Sequence, residues 1–461
     1  MIMNEIALER LRNILGNDNV SIERNQILNY LADETPMPIR PHPAADVVLV
    51  KPRNTDEVSR VMILANEHQI PIYPRGGGTG LAGGAIPTRN GIILSSERMN
   101  KIEIDTGNMM AIAEAGVTLS KLSESAASAG LSFPPHPGDE NAQIGGLVAT
   151  NAGGSRAVKH GVMRNQVREL EIVLPTGEIL HLGRRVRKNN VGYDLMQLII
   201  GSEGTLAVIT KATIQLYTKS AAQLTLIIPY DNRHDAISTV PKIIHEGITP
   251  LAVEYAELDL LKKTAEHLNT RWPVTQGNCC LIVILEAADR EELFSQSLAI
   301  MKICQQQTTY EIFAAESPSD QNNILRIRSG IYTALKSKTM DMLDITVPIA
   351  ELEHTMDAIS NVMATSGVEI PVYGHAADGN LHVHIMETQG KDSKYVENLK
   401  NEIYQIANSA GGVITGEHGI GKIRLEKLSL SLDRKELQLM KEIKRIFDPN
   451  GVLNPETKLP V

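Results

Sequence analysis

Hydrophobic and polar positions along the chain fall into two textures. From about residue 44 to 215, short apolar runs alternate with glycine-rich connections. Residues 47–50, VVLV, read as a buried strand. Asn54 and Glu57 then mark a helix start, and Val58, Val61, Met62 and Ala65 repeat on one helical face. Residues 70–73 form the next strand and complete a βαβ unit. Residues 92–94 and 109–114 are further strands, and a helix spans 119–128 and closes at Gly130. Residues 170–174 and 179–182 pair as a hairpin around Pro175-Thr176-Gly177. Beyond about 220 the glycines thin out, and strands such as 280–286 alternate with longer amphipathic helices such as 291–306 and 351–365. A tail helix at 435–446 ends in the turn-rich FDPNGVLNP.

At 461 residues the chain exceeds one ordinary core. We expect an N-terminal helical segment (1–43), an α/β domain (44–218), a second domain (219–415) and a C-terminal segment (416–461). Aromatic residues are only 3%, so the cores must rest on Ile, Leu, Val and Met. A net charge of −9 argues against nucleic acid as a partner, because phosphate binding needs a positive field. The short basic run Arg184-Arg185-Val186-Arg187-Lys188 is expected to be a solvated loop. Cys279, Cys280 and Cys304 lack the spacing of a zinc or iron–sulfur site and suit a reducing compartment. The N-terminus reads as a short amphipathic helix without the apolar core of a signal peptide. No run reaches the roughly 20 apolar residues of a membrane span. The expected location is cytoplasmic, at most peripheral to the inner face of a membrane.

The most unusual stretch is PRGGGTGLAGGAIP, residues 74–87. It contains G-x-G-x-x-G at 78–83. A dinucleotide fingerprint, however, needs a helix opening inside the motif. Gly83, Gly84 and Pro87 would break that helix, and the chain runs straight into another strand. A structural turn needs one or two glycines, not six. The remaining reading is a non-helical loop whose bare N–H groups wrap a pyrophosphate. Two more glycine-rich stretches, 144–154 (IGGLVATNAGG) and 201–206 (GSEGTL), point to a long ligand held along its length.

Together R-G-G-G-T-G, I-G-G-x-x-A-T-N-A-G-G and G-S-E-G-T-L resemble the FAD-binding domain of the vanillyl-alcohol-oxidase/PCMH type. The resemblance runs from about residue 30 to the C-terminus. It is strongest to the FAD-linked 2-hydroxyacid dehydrogenases: D-lactate dehydrogenase, glycolate oxidase D-subunit and D-2-hydroxyglutarate dehydrogenase. It implies an α+β fold with an FAD-binding domain of two α/β subdomains. It also implies an α/β cap with a largely antiparallel sheet flanked by helices, and a C-terminal segment returning to the FAD domain. It assigns cofactor contacts to Arg75, Gly76, Gly77, Gly78, Thr79, Gly80 and Leu81, and to Pro137, Gly138, Ile144, Gly145, Gly146, Asn151, Gly153 and Gly154. Gly201, Glu203, Gly204, Thr205 and Asn454 complete the set. No histidine lies in the first loop, so FAD is expected to be non-covalent.

A second constellation is YGHAADGNLHVH, residues 373–384, followed by GEHG at 416–419. Two imidazoles and a carboxylate suit Zn²⁺, Mn²⁺ or Fe²⁺ with open positions. Asp378 and Asn380 are turn residues that would bring His375 and His382 together. On spacing alone, histidines at alternate strand positions are more often solvated or hydrogen-bonded to backbone than bound to metal. The resemblance adds the weight: GHxGDGNxH and EHG match its signature, with metal ligands at His375, His382 and Glu417. His418 matches the residue that handles the substrate hydroxyl proton, and Arg328 the one that grips its carboxylate. Three positions depart from the pattern. Ala377 replaces a glycine, and His384 stands where an asparagine helps hold the carboxylate. Met342 stands where hydroxyglutarate enzymes carry a lysine, which favours a smaller acid such as D-lactate or glycolate.

The expected activity is FAD-dependent oxidation of a small D-2-hydroxy acid to the 2-oxo acid. The expected outlets for electrons are electron-transferring flavoprotein, an iron–sulfur subunit or quinone, and self-association as a homodimer is open. The competitors are D-2-hydroxyglutarate oxidation, a non-catalytic flavin-carrying subunit of a larger redox complex, and an oxygen-using oxidase.

Overall fold

The computed structural model describes residues 5–136, 138–307, 310–388 and 390–460. They divide into two units. The first holds the described residues up to Gly153, then 162–219, then Glu417 onward; the second holds 154–161 and 220–416.

The first unit contains two sheets that carry most of its core. One runs in spatial order Val20–Ser21, Val47–Val50, Gly91–Ser95, Ile72–Arg75. The last three strands are parallel and the first is antiparallel. The helix Thr55–Glu67 links two of them. The Asn54 side chain accepts from the Glu57 N–H at 2.9 Å, while the Glu57 carboxylate accepts from the Arg53 N–H at 2.8 Å. Both bonds satisfy donors that a helix start leaves open. Its apolar face, Val58, Val61, Met62 and Ala65, is fully buried against Ile72, Ile92 and Leu94.

The other sheet is antiparallel, in the order Ile102–Asp105, Met110–Glu114, Val208–Gln215, Val167–Val173, Ile179–Gly183. The helix Leu119–Ser128, capped by the Thr118 hydroxyl, packs in the same core. The C-terminal segment returns to this unit beside the strand Ile72–Arg75. Ile72 N–H donates to Val452 at 2.8 Å and Asn454 N–H to Ile72 at 2.7 Å. Asp448 holds that return by accepting from the Val452 and Leu453 amides.

One expectation changes here. The stretch 144–154 is not a loop throughout: Ile144–Thr150 is a helix, ended by Asn151 in the left-handed region at φ 52°. Ile144, Leu147 and Val148 are buried at helical spacing, and this burial outweighs the cost of two glycines, about 1 kcal/mol each.

The second unit is built on a seven-stranded antiparallel sheet. Its spatial order is Phe313–Ala315, Ala222–Tyr230, Cys279–Ala287, Ala252–Glu257, Val372–His375, Asn380–Met386, Thr339–Thr346. Cys279–Ala287 is interior to the sheet and buried on both faces, which explains the unbroken apolar run CCLIVIL. Leu258–His267 and Pro318–Ser329 pack their apolar faces with Cys280 and Ile282. The excursion 154–161 joins this unit through Glu286, which meets Lys159 at 3.1 Å and His160 at 3.2 Å.

Among the described residues, no helix is long and apolar enough to cross a membrane.

Candidate functional site

The glycine loop leaves the strand Ile72–Arg75 and reaches Gly91 without forming a helix. It opens onto a cleft in the first unit. Arg75, Gly76, Gly77, Gly78, Thr79 and Gly80 line it, with Gly145 and Gly146 from the short helix and Glu203, Gly204, His418 and Asn454 from later segments.

The glycines divide into two kinds. Gly77 and Gly145 are required by the protein itself, since a Cβ would stand 2.5 Å from the Asn141 carbonyl oxygen and 2.8 Å from the Ala115 side chain, respectively. Gly78 has a left-handed φ of 73°. At Gly80 and Gly146 a Cβ would meet nothing within 4 Å, and neither φ is left-handed. Neither packing nor backbone strain explains glycine at those two positions; both face the cleft, where a bound group would lie against bare backbone. The buried Arg75 guanidinium agrees. Nη2 donates to Asn29 O at 3.0 Å, whereas Nη1 has no hydrogen-bond partner among the described residues. An unpaired buried donor on the cleft wall fits an anionic ligand. The residues present therefore fit FAD.

Other expected cofactor residues do different work and are not among the cleft's lining residues. Asn151 ends the short helix and accepts from the Arg164 amide. Gly153 makes room for Glu417, whose carboxylate a Cβ would approach to 2.8 Å. Gly201 takes φ 82°, and the Thr205 hydroxyl donates to Ser202 O. Ile144 is core. Leu81 and Gly138 also lie off the cleft, and Gly154 falls in the second unit. Pro137 lies outside the described residues.

Glu203 has a second role. Its buried carboxylate accepts from the Ile420 and Gly421 amides at 3.0 and 2.7 Å and pairs with Lys458 at 3.3 Å. It thus fastens the EHGIG segment, and His418 with it, to the cleft. Lys422 completes the fastening, donating to Thr457 at 2.6 Å, Gly84 O at 3.1 Å and Asn454 at 3.3 Å. Burial pushes its ammonium down to about 8. Sequence reading missed Lys422 and also Asp33, a cleft-lining carboxyl raised by burial against the opposing pull of Thr35 and Arg75. Neither lies in a glycine motif.

In the second unit a tight turn over 376–379 joins the strands that carry the histidines, with Gly379 at φ 77°. It brings His375 Nε2 and His382 Nε2 to 3.4 Å. Each ring's other nitrogen faces a carboxylate: His375 Nδ1 lies 2.6 Å from Glu254 and His382 Nδ1 lies 3.7 Å from Asp344. Asn380 holds Asp344 at 2.8 Å, and Thr415 and the Gly416 amide bond its other oxygen. The Glu254 carboxylate favours the His375 proton on Nδ1, which turns its Nε2 lone pair towards His382, a donor arrangement that suits a cation. Two ligands at about 2.1 Å across a tetrahedral angle are themselves about 3.4 Å apart. The pair therefore fits a divalent metal. Glu417 and His418 belong to the first unit and follow Gly416 in the chain; Glu417 Oε1 lies 3.9 Å from His418 Nε2.

Arg328 is buried on the helix Pro318–Ser329, ion-paired to Glu254 and 4.8 Å above the Tyr373 ring. His384 is fully buried, with Nδ1 3.0 Å from the Thr339 hydroxyl and Nε2 3.1 Å from the Tyr373 hydroxyl. Both nitrogens are thus engaged in the sheet, where the expectation gave it a role at the substrate. Glu254 and Asp344 were not anticipated, because single carboxylates in apolar strands carry no motif.

Comparison with known proteins identifies the class. Residues 219–457 match the C-terminal domain of FAD-linked oxidases, and residues 47–183 match an FAD binding domain. The chain is 42% identical over 426 residues to a D-lactate dehydrogenase of Archaeoglobus fulgidus, covering 92% of this chain and 94% of that one. It is 34% identical to the glycolate oxidase subunit GlcD of Bacillus subtilis, covering 99% and 97%. Among solved structures, p-cresol methylhydroxylase with substrate bound superposes with a TM-score of 0.80 at 18% identity, over 98% of this chain and 96% of that one, which shows the shared fold. The chain belongs to the FAD-linked oxidases, of the kind that includes these D-lactate dehydrogenases and glycolate oxidase subunits. It is an FAD-dependent oxidoreductase with the vanillyl-alcohol-oxidase-type fold.

Proposed function

We propose that the chain oxidises a small D-2-hydroxy acid, D-lactate or glycolate, to the corresponding 2-oxo acid. The observation that carries this reading is the kinship over nearly the whole chain to a D-lactate dehydrogenase and a glycolate oxidase subunit, joined to the set His375, His382, Glu417, His418 and Arg328. Arg328 presents a planar guanidinium suited to a bidentate grip on the substrate carboxylate. Its pairing with Glu254 and stacking on Tyr373 aim it in advance. The His418 imidazole takes the hydroxyl proton as the carbon is oxidised, acting as the general base.

FAD, when bound in the cleft, supplies the acceptor for the hydride leaving C2. His375 and His382, through Nε2, and Glu417 are the residues that would hold a divalent metal, Zn²⁺, Mn²⁺ or Fe²⁺, which supplies Lewis-acid polarisation of the hydroxyl. The electrons taken up by FAD would need an outlet, for which electron-transferring flavoprotein, an iron–sulfur subunit or quinone is the proposed partner. Buried Met342 leaves no cation at its position for a second carboxylate, which favours the monoacid over D-2-hydroxyglutarate.

The test is steady-state reduction of an artificial dye acceptor with D- and L-lactate, glycolate and D-2-hydroxyglutarate, run beside an oxygen electrode. Turnover with D-lactate or glycolate, without matching oxygen consumption, is expected. Turnover on none of these acids, or oxygen as the preferred acceptor, refutes the reading.

A further inference from the structure

We propose that Glu254 is a positioning residue that joins the two halves of the substrate site, fixing His375 with one carboxylate oxygen and Arg328 with the other. The proposal rests on the metal and substrate roles given above. Strand register places Glu254 directly opposite His375. Its side chain is 1% exposed, Oε1 lies 2.6 Å from His375 Nδ1, and Oε2 pairs with the Arg328 guanidinium. A carboxylate so buried is costly unless it is paired; here Oε1 is hydrogen-bonded to His375 and Oε2 lies at ion-pair distance from Arg328.

The consequences differ for each partner. With its Nδ1 proton committed to Glu254, His375 is held in the tautomer whose Nε2 lone pair points at His382. Arg328 is held between the carboxylate and the Tyr373 ring, and so cannot swing away from one direction. Tyr373 in turn donates to or accepts from His384 at 3.1 Å. One buried acid therefore orients both the metal-binding imidazole and the carboxylate-binding guanidinium. Glu254 acts through these two partners.

The experiment uses full-length, flavin-loaded protein and Mn²⁺ or Zn²⁺ measured by chelator competition. Glu254→Gln keeps the shape and removes the charge. Metal affinity is expected to fall about 10- to 100-fold, the usual effect of losing an outer partner of a ligating histidine. Flavin content and flavin affinity are expected to stay at the wild-type level, which a general loss of structure would not allow. Because this variant leaves a buried guanidinium without its carboxylate, Glu254→Gln/Arg328→Gln is measured beside it. That pair removes both charges and still leaves His375 Nδ1 facing a neutral amide instead of a carboxylate, so the same weakening is expected. Wild-type metal affinity in either folded variant overturns the Glu254 proposal alone. A wild-type protein that binds no stoichiometric metal overturns the metal reading, and this proposal with it.

Discussion

Gly146→Ala separates the two reasons a glycine can occupy a position. Gly146 lies inside the helix Ile144–Thr150, its φ is not left-handed, and an added Cβ would meet nothing within 4 Å. The protein alone therefore gains from alanine there. Helix propensity favours Ala over Gly by up to about 1 kcal/mol, and a less flexible unfolded chain contributes about 0.4–1 kcal/mol of the same effect. The same methyl would stand in the cleft, which Gly146 lines. If flavin packs against that backbone, forcing a methyl into the contact costs about 1–3 kcal/mol. At 1.4 kcal/mol per decade, this is about a 5- to 140-fold rise in Kd. The assay has two arms: thermal unfolding of flavin-free protein, and titration with FAD followed by quenching of flavin fluorescence. The expected result is an apoprotein at least as stable as wild type that binds FAD more weakly. Gly77→Ala is the contrast. Its Cβ would lie 2.5 Å from a backbone carbonyl oxygen, so it should lower apoprotein stability directly. Wild-type FAD affinity in Gly146→Ala would refute the reasoning.

Three further outcomes are expected. Glu203→Ala removes the acceptor for two buried amides, at about 1–3 kcal/mol for each one left unpaired; limited proteolysis should then cut within 417–422 and flavin should dissociate faster, and an unchanged digest would contradict the fastening role. Glu286 is pushed up by burial, but His160, Ser220 and Lys159 outweigh this and hold its carboxyl at about 2. A folded-state value below that of an ordinary glutamate means stability present above about 4.5 and lost as pH falls towards 2; Glu286→Gln should flatten that acid limb, and an identical limb would refute it. Burial pushes the Cys279 and Cys280 thiols up to about 12 and Cys304 to about 11; iodoacetamide at pH 8 should label none of them until the protein unfolds, whereas fast labelling of native protein would contradict their burial.

Much of the frame was legible because local and tertiary signals agreed. The helix Thr55–Glu67 announces its start with Asn54 and its buried face with Val58, Val61 and Met62, and the structure uses all four. The loop after Arg75 was readable as non-helical because Gly83, Gly84 and Pro87 oppose a helix. The helix Ile144–Thr150 was hidden because two glycines mask a burial pattern only one turn longer than they are. The excursion 154–161 was invisible for a different reason: its attachment to Glu286 is a long-range contact, and nothing in SRAVKH encodes a partner 126 residues away. The histidine pair could be read from its spacing around a turn. Glu254 could not, because only strand register brings it opposite His375.

The central claim, a flavin reduced by a small D-2-hydroxy acid, is tested most directly by the visible spectrum under anaerobic conditions. Purified protein is mixed in turn with D-lactate, L-lactate, glycolate and D-2-hydroxyglutarate, with and without chelator. The account predicts a flavin band that D-lactate or glycolate bleaches and that chelator protects from bleaching. A flavin band that none of these acids bleaches would contradict it.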